Sequence, residues 1–262
     1  MAEQEEKIIK VYYDGYLQKN MEILKKNIKE DWDFWFIIDG LEGSGKSMLG
    51  QQCGYFLDPN MTVKNIVFTP KQFEDAVQTL PKYSVVIWDE AITGTQSTDM
   101  TKMSRTLQKM AVQMRQKNLF VILILHSFYE LKKYYAIHRT WFLLNCYYTP
   151  NMETEMLDRG FFKFYGRDAK RMMYCNDKLR RNYDYPQGLP YVEFRGRFYK
   201  KYVVDEAEYK AKKASIHEED KGISDKEFAE AAFIRGMGVP LIKPYVKYTE
   251  QHLYRIKDSL TH

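Results

Sequence analysis

The stretch from Asp33 to Leu57 restricts what this chain can fold into more than any other. Phe34-Trp35-Phe36-Ile37-Ile38-Asp39 is a short, apolar, β-prone run. It feeds directly into Gly40-Leu41-Glu42-Gly43-Ser44-Gly45-Lys46-Ser47, a G-x-x-x-x-G-K-S loop, and Met48 to Leu57 follows with a helical pattern. Strand, glycine-rich loop and helix in that order are what a P-loop needs. Glycines at 40, 43 and 45 let the backbone fold tightly around an anion. The amides of Gly43, Ser44, Gly45 and Lys46 are expected to face phosphates, helped by the dipole of the helix behind them. Lys46 is expected to reach the β- and γ-phosphates of ATP, and the Ser47 hydroxyl to ligate Mg²⁺.

A second run, Ser84-Val85-Val86-Ile87-Trp88-Asp89-Glu90, is apolar until it ends in two acids. Such a run reads as a strand covered on both faces by helices. Its carboxylates then sit at the rim where α/β sheets bind ligands. Asp89 suits a Mg²⁺ ligand, direct or through water, and Glu90 suits the base that polarises an attacking water. A small-molecule kinase needs no such glutamate, so the pair favours a hydrolysing ATPase.

Composition bounds the alternatives. With 262 residues, 45% of them hydrophobic and 29% charged, the chain can hold one sizeable α/β domain and a small appendage. Its longest apolar runs, Leu119–Leu125 and Trp141–Cys146, are strand length and fall well short of the ~20 residues of a membrane span. The acidic start, Met1 to Lys7, lacks the apolar core of a secretion signal. Cys53, Cys146 and Cys175 are odd in number and widely spaced, which suits reduced, buried thiols in a cytoplasm. Charge is uneven: residues 1–150 carry 18 basic and 17 acidic side chains, whereas residues 159–201 carry 12 basic and 4 acidic. That local excess is the footprint expected for a polyanionic partner.

The pattern along the chain predicts five alternations of strand and helix, hence an α/β fold with a mostly parallel sheet flanked by helices. Residues 1–32 read as a helical arm and 33–150 as the P-loop ATPase core, with strands at Phe34–Asp39, Asn65–Thr69, Tyr83–Trp88, Leu119–Leu125 and Thr140–Tyr148. Helices are expected over Pro70–Leu80, Lys102–Lys117 and Phe128–Ile137, with a polar loop at Ala91–Thr101. Residues 151–217 read as a β-rich extension, with short strands at Gly160–Tyr165, Arg171–Cys175, Tyr191–Phe194 and Phe198–Val204, and then a helix from Asp205 to about His217. A linker at 218–222 leads to a three-helix, helix-turn-helix-like module at 223–262. There Ser224-Asp225-Lys226-Glu227 forms a capping box, Pro240–Val246 a second helix, and Thr249 caps a third. Gln251, Arg255 and Lys257 are its candidate DNA contacts, although such bundles also serve as assembly caps. Arg180, Arg181, Arg195 and Arg197, with Tyr174, Tyr183 and Tyr185 among them, are candidate DNA contacts in the basic stretch.

His126 follows the strand Val121–Leu125 and is placed to sense the γ-phosphate, provided that this strand lies between the P-loop strand and the Asp-Glu strand. Arg105, Arg115 and Arg139 are candidates for an arginine donated to a neighbouring subunit's site.

The P-loop, Val85-Val86-Ile87-Trp88-Asp89-Glu90-Ala91, Arg115-Gln116-Lys117-Asn118-Leu119 and the His126–Leu131 turn together resemble the FtsK/HerA superfamily of DNA-pumping ATPases, especially viral genome-packaging ATPases and Zot-like phage proteins. The resemblance covers residues 33–150 and implies a RecA-like core, Mg²⁺-ATP hydrolysis at subunit interfaces, and a pentameric or hexameric ring that moves double-stranded DNA, working with capsid or other packaging and transfer proteins. By motif, Lys46, Ser47, Asp89 and Glu90 take the family's nucleotide roles. Two other classes stay open: an ATP-switched DNA-binding regulator of the partition or transposition type, and a small-molecule kinase.

Overall fold

The computed structural model describes residues 11–89, 97–219 and 225–260. The chain divides into two compact units, one ending at Tyr209 and one beginning at Lys210.

The first unit is built on a seven-stranded sheet. Its strands are β1 (Phe34–Gly40), β2 (Ile66–Val67), β3 (Val85–Trp88), β4 (Phe120–Ile124), β5 (Thr140–Asn151), β6 (Met156–Tyr165) and β7 (Phe194–Arg197). Across the sheet they run β2-β3-β4-β1-β5-β6-β7. The five strands from β2 to β5 are parallel, and β6 and β7 extend the sheet antiparallel. Every residue of β1, β3 and β4 is buried, which is why each reads as an unbroken apolar run rather than an alternation.

Helix α1 (Gly15–Asn27) starts at Asp14, whose carboxylate accepts from the Tyr16 and Leu17 amides. It buries Leu17, Met21 and Leu24, a stripe at helical spacing. Helix α2 (Lys46–Leu57) presses one face of the sheet so closely that a Cβ at Gly50 would stand 2.6 Å from Ile124 Cδ1. The opposite face carries α3 (Pro70–Thr79), α4 (Ser97–Gln116) and α5 (Arg167–Cys175). Its core joins Trp35, Ile37, Trp88, Val121 and Leu143 to Phe73, Leu107, Met110 and Met173. Each large apolar side chain buried there contributes about 1.5–3 kcal/mol before the cost of ordering it.

Four expectations are corrected. Residues 171–175 are not a strand; α5 covers them, because Ala169 with Met173 and Lys170 with Tyr174 recur at four-residue spacing and face inward. Residues 198–204 form no strand either. Strands β6 and β7 continue the main sheet at its edge, and short α6 (Asp177–Asn182) follows α5. Residues 128–137 do not form one helix: a 3-10 turn at Phe128–Glu130 ends at extended Leu131, and a π-helical turn follows at Tyr134–Arg139. Side chains bond carbonyls within that turn, Thr140 Oγ1 donating to those of Tyr135 and Ala136 and buried Lys170 to that of Ala136. Helix α4 begins at Ser97, inside the expected loop, of which residues 91–96 lie outside the described residues.

Helix α7 (Glu206–Glu219) starts in the first unit. In the second unit, α8 (Asp225–Ile234), α9 (Val239–Ile242) and α10 (Glu250–Ser259) enclose Ala229, Ala232, Val239, Ile242, Val246 and Leu253. Thr249 caps α10 as expected. The expected helix over 240–246 is only a single turn, because Pro244 falls in a 3-10 turn that closes it. Ser224, the first residue of the capping box, lies outside the described residues. Among the described residues no helix is long and apolar enough to cross a membrane.

Candidate functional site

The site lies where the carboxyl ends of β1, β4 and β3 meet the start of α2. Gly40 ends β1 with φ +133°, and a Cβ there would stand 2.1 Å from the Cys146 carbonyl oxygen on β5. Only glycine lets the strand turn this close to its neighbour. Gly45, with φ +96°, is the N-cap of α2 and offers no side-chain cap. The first-turn amides of α2 therefore face the loop with the positive end of the helix dipole behind them. Ser44 Oγ donates to the Leu41 carbonyl at 2.7 Å, and Lys46 Nζ donates to the carbonyls of Gly40 at 2.7 Å and Leu41 at 3.0 Å. The ammonium thus curls back over the hollow that the loop encloses.

Ser47 Oγ donates to Asp89 Oδ1 at 3.1 Å, tying the first turn of α2 to the residue just past β3. Asp89 is 1% exposed, and its other oxygen accepts a 2.6 Å hydrogen bond from Tyr209. Burial, and then the neighbouring Asp89 carboxylate, push the Tyr209 hydroxyl far above its ordinary pKa, so it stays protonated and donates. Tyr209 closes a strap over α2. Phe198 packs on Gly45, the Gln52 side chain holds the Tyr199 and Lys201 backbone, and Gln51 Oε1 accepts from the Val203 amide. Arg159 donates to the Gly43 carbonyl at 3.5 Å.

Strand β4 lies between β1 and β3, the order on which the His126 expectation depended. The His126 carbonyl accepts from the Gly40 amide at 3.3 Å, while the residue itself is exposed. Glu90 lies outside the described residues.

The arginines separate. Arg139 forms a two-pronged pair with Asp33, just before β1, and stacks over the Trp35 ring at 4.4 Å. Arg115 is exposed and lines the same cleft as Asp33 and Arg139, at the end of β1 opposite Gly40. Arg105 is exposed on α4. Within one chain, neither Arg115 nor Arg139 is brought to the loop.

The basic side chains Arg180, Arg181, Arg195 and Arg197 are all exposed. Arg180 pairs with Asp177 at 3.0 Å, and Arg197 lies over the Phe161 ring at 5.2 Å. Tyr174 is buried under Arg180, whose guanidinium lies over its ring at 5.5 Å, and donates to the Leu131 carbonyl, while Tyr185 turns inward to Asp39. In the second unit Gln251, Arg255 and Lys257 are exposed on α10.

One feature escaped the sequence reading. Asp39, Asn145, Lys163 and Arg195 are register partners on four adjacent strands, β1, β5, β6 and β7, and form a polar row across one face of the sheet. Asp39 is fully buried. It accepts from Asn145 and from the Phe128 amide, each at 2.9 Å, and from the Tyr185 hydroxyl. Burial raises its carboxyl to about pH 6, against the pull of these donors and of Lys46. The available signal was a single polar residue inside each of two apolar strands, Asn145 in Trp141–Tyr148 and Lys163 in Phe161–Tyr165.

No family model matches the chain, and no curated protein matches it significantly. Among the described residues no cluster of three or more His, Cys, Asp or Glu side chains is arranged to hold a metal. Any Mg²⁺ here would depend on Ser47, Asp89 and oxygens supplied by its ligand, the usual manner for an ion that keeps few protein contacts.

Proposed function

We propose that this chain is a Mg²⁺-dependent ATPase that works as an oligomeric motor on double-stranded DNA. The observation that carries the reading is the Ser47–Asp89 hydrogen bond, which joins a glycine-cradled, uncapped helix start to a buried carboxylate at a neighbouring strand tip. These residues suit a magnesium-bound triphosphate: the loop has amides and Lys46 for phosphate oxygens, and Ser47 and Asp89 supply the paired oxygen ligands that Mg²⁺ favours. Bound there, Mg²⁺-ATP supplies the phosphoryl bond whose cleavage drives the motor. The chain's own part is to hold the phosphates, to place the metal-side oxygens, and through Glu90 to take a proton from water.

The position of β4 between β1 and β3 is the strand order that the hydrolysing reading requires, and the His126 backbone accepts from the Gly40 amide at the start of the loop. The DNA part rests on the exposed arginines on α6 and β7, on the exposed polar face of α10, and on the resemblance to DNA-pumping ATPases.

The test is ATP turnover by wild type, Lys46→Ala and Glu90→Gln, with and without duplex DNA, alongside the native mass. A ring-sized mass, stimulation by DNA and a fall of at least about 10²-fold in both variants are expected. Turnover that ignores DNA in a monomer would remove the motor, and turnover intact in Lys46→Ala would remove the ATPase.

A further inference from the structure

A pocket of about 830 Å³ opens on the sheet face opposite α2. The faces follow from alternation along β1: Ile38 meets α2, so Asp39 points the other way, where Trp35 and Ile37 join the α3–α4 core. Its floor is the inner part of the polar row, Asn145 and Lys163, with Asp39 beneath. Its walls are the Gly40-Leu41 turn and the rings of Tyr147, Tyr183, Tyr185 and Tyr191.

Two groups in this pocket lack the partners that burial normally demands. Glu130 Oε2 is buried and accepts no hydrogen bond. The Lys163 ammonium sits over the Tyr147 ring at 4.4 Å and has no carboxylate within ion-pair distance among the described residues, while its register partner on β7 is another cation, Arg195. Burial, and then Arg195, lower the Lys163 pKa against the opposing pull of Asp39, and burial raises that of Glu130 against that of His126. An acceptor without a hydrogen bond and a cation without an ion pair, set among aromatic rings, call for a ligand with a donor on a flat apolar body and an anion alongside. A second cation would be repelled by Lys163 and Arg195, and a simple anion would leave Glu130 unanswered.

We infer that this pocket binds an amino-bearing nucleobase carrying a phosphate, with the amino group donating to Glu130, the ring among the tyrosines and the phosphate toward Lys163 and Arg195. Carboxylates accept hydrogen bonds from the amino groups of bases in this way, and stacking on aromatic side chains tolerates any base shape. The base could belong to a free nucleotide, to the ATP held at the Gly40–Ser47 loop, or to a nucleic-acid strand, and the experiment separates these sources.

Titration of AMP and CMP, followed by tyrosine fluorescence or calorimetry, tests the assignment. Both are expected to bind wild type, and purine riboside monophosphate, which lacks the amino group, at least 10-fold more weakly. Glu130→Met is expected to lose at least 10-fold in AMP affinity while raising the Tm by about 2–4 °C, because it removes an unanswered buried acceptor. Lys163→Met is expected to weaken AMP but not adenosine, and Tyr183→Ala, at a half-exposed ring, to weaken both. Lys46→Ala is expected to leave AMP binding unchanged, so failure at the Gly40–Ser47 loop and failure here are read separately. Displacement of AMP by a short oligo(dA) assigns the base to a strand. Displacement by a non-hydrolysable ATP analogue in wild type but not in Lys46→Ala assigns it to the ATP, and displacement by neither assigns it to a free nucleotide. Absence of AMP and CMP binding to wild type, or equal affinity for the analogue lacking the amino group, overturns the inference.

Discussion

Ser47 and Asp89, forty-two positions apart in the chain, meet through a 3.1 Å hydrogen bond across the tips of two strands that are not sheet neighbours. Strand β4 separates β1 from β3, so only the inward lean of α2 brings the hydroxyl to the carboxylate. Gly50 and Gly54 allow that lean, since a Cβ on either would strike Ile124 or Ile87. Packing and the candidate chemistry are one feature here, and the consequences can be measured.

Tyr209→Phe removes the donor that holds Asp89 Oδ2 at 2.6 Å while keeping the ring. A hydrogen bond to a buried carboxylate is worth about 2 kcal/mol, so Tm is expected to fall by roughly 4–8 °C. Thermal denaturation followed by circular dichroism reads this directly. An unchanged Tm would mean that the strap does not anchor on Asp89.

Gly40→Ala and Gly45→Ala should differ in severity. At Gly40 the new methyl meets the Cys146 backbone at 2.1 Å, which cannot yield without moving β5. At Gly45 it meets the Phe198 ring at 2.9 Å, and a side chain can turn aside. Gly40→Ala is expected to be recovered mostly insoluble, and Gly45→Ala as folded protein with a Tm lowered by several degrees. Equal yields and melting points for the two would contradict the packing described for Gly40.

Asp39 has its carboxyl raised to about 6 from an ordinary 3.8, so between these values the folded state binds the proton more tightly than the unfolded chain. Stability from this group is therefore fully present below about pH 4, declines as pH rises through 6, and is flat above. Two pH units correspond to about 3 kcal/mol. Asp39→Asn cannot titrate, so the stability difference between wild type and variant, from urea unfolding, is expected to move by that order between pH 4 and 7.5. A difference independent of pH would show that the carboxyl does not titrate in this range.

Much of this architecture was legible because parallel strands buried on both faces leave plain apolar runs. Phe34–Asp39, Tyr83–Trp88 and Leu119–Leu125 were read within a few residues of β1, β3 and β4. The Gly40–Ser47 loop and Asp89 were found for the same reason, since each sits at the end of such a run. Tyr209 was not, because it lies 120 residues from Asp89 and nothing local marks it. The polar row was missed because its members are paired by register, which sequence spacing does not carry. Residues 171–175 were misread because the run Met172-Met173-Tyr174-Cys175 resembled a strand, whereas the four-residue recurrence of Ala169 and Met173 is helical.

The central claim is that the Gly40–Ser47 loop and Asp89 form one Mg²⁺-nucleotide site. Titrating a non-hydrolysable ATP analogue into wild type and Ser47→Ala, each with Mg²⁺ and with EDTA, tests it most directly. The expected result is micromolar binding by wild type that weakens at least 10-fold in EDTA, and weaker binding by Ser47→Ala that no longer responds to the metal. Absence of binding by wild type, or the same metal response in both proteins, would contradict it.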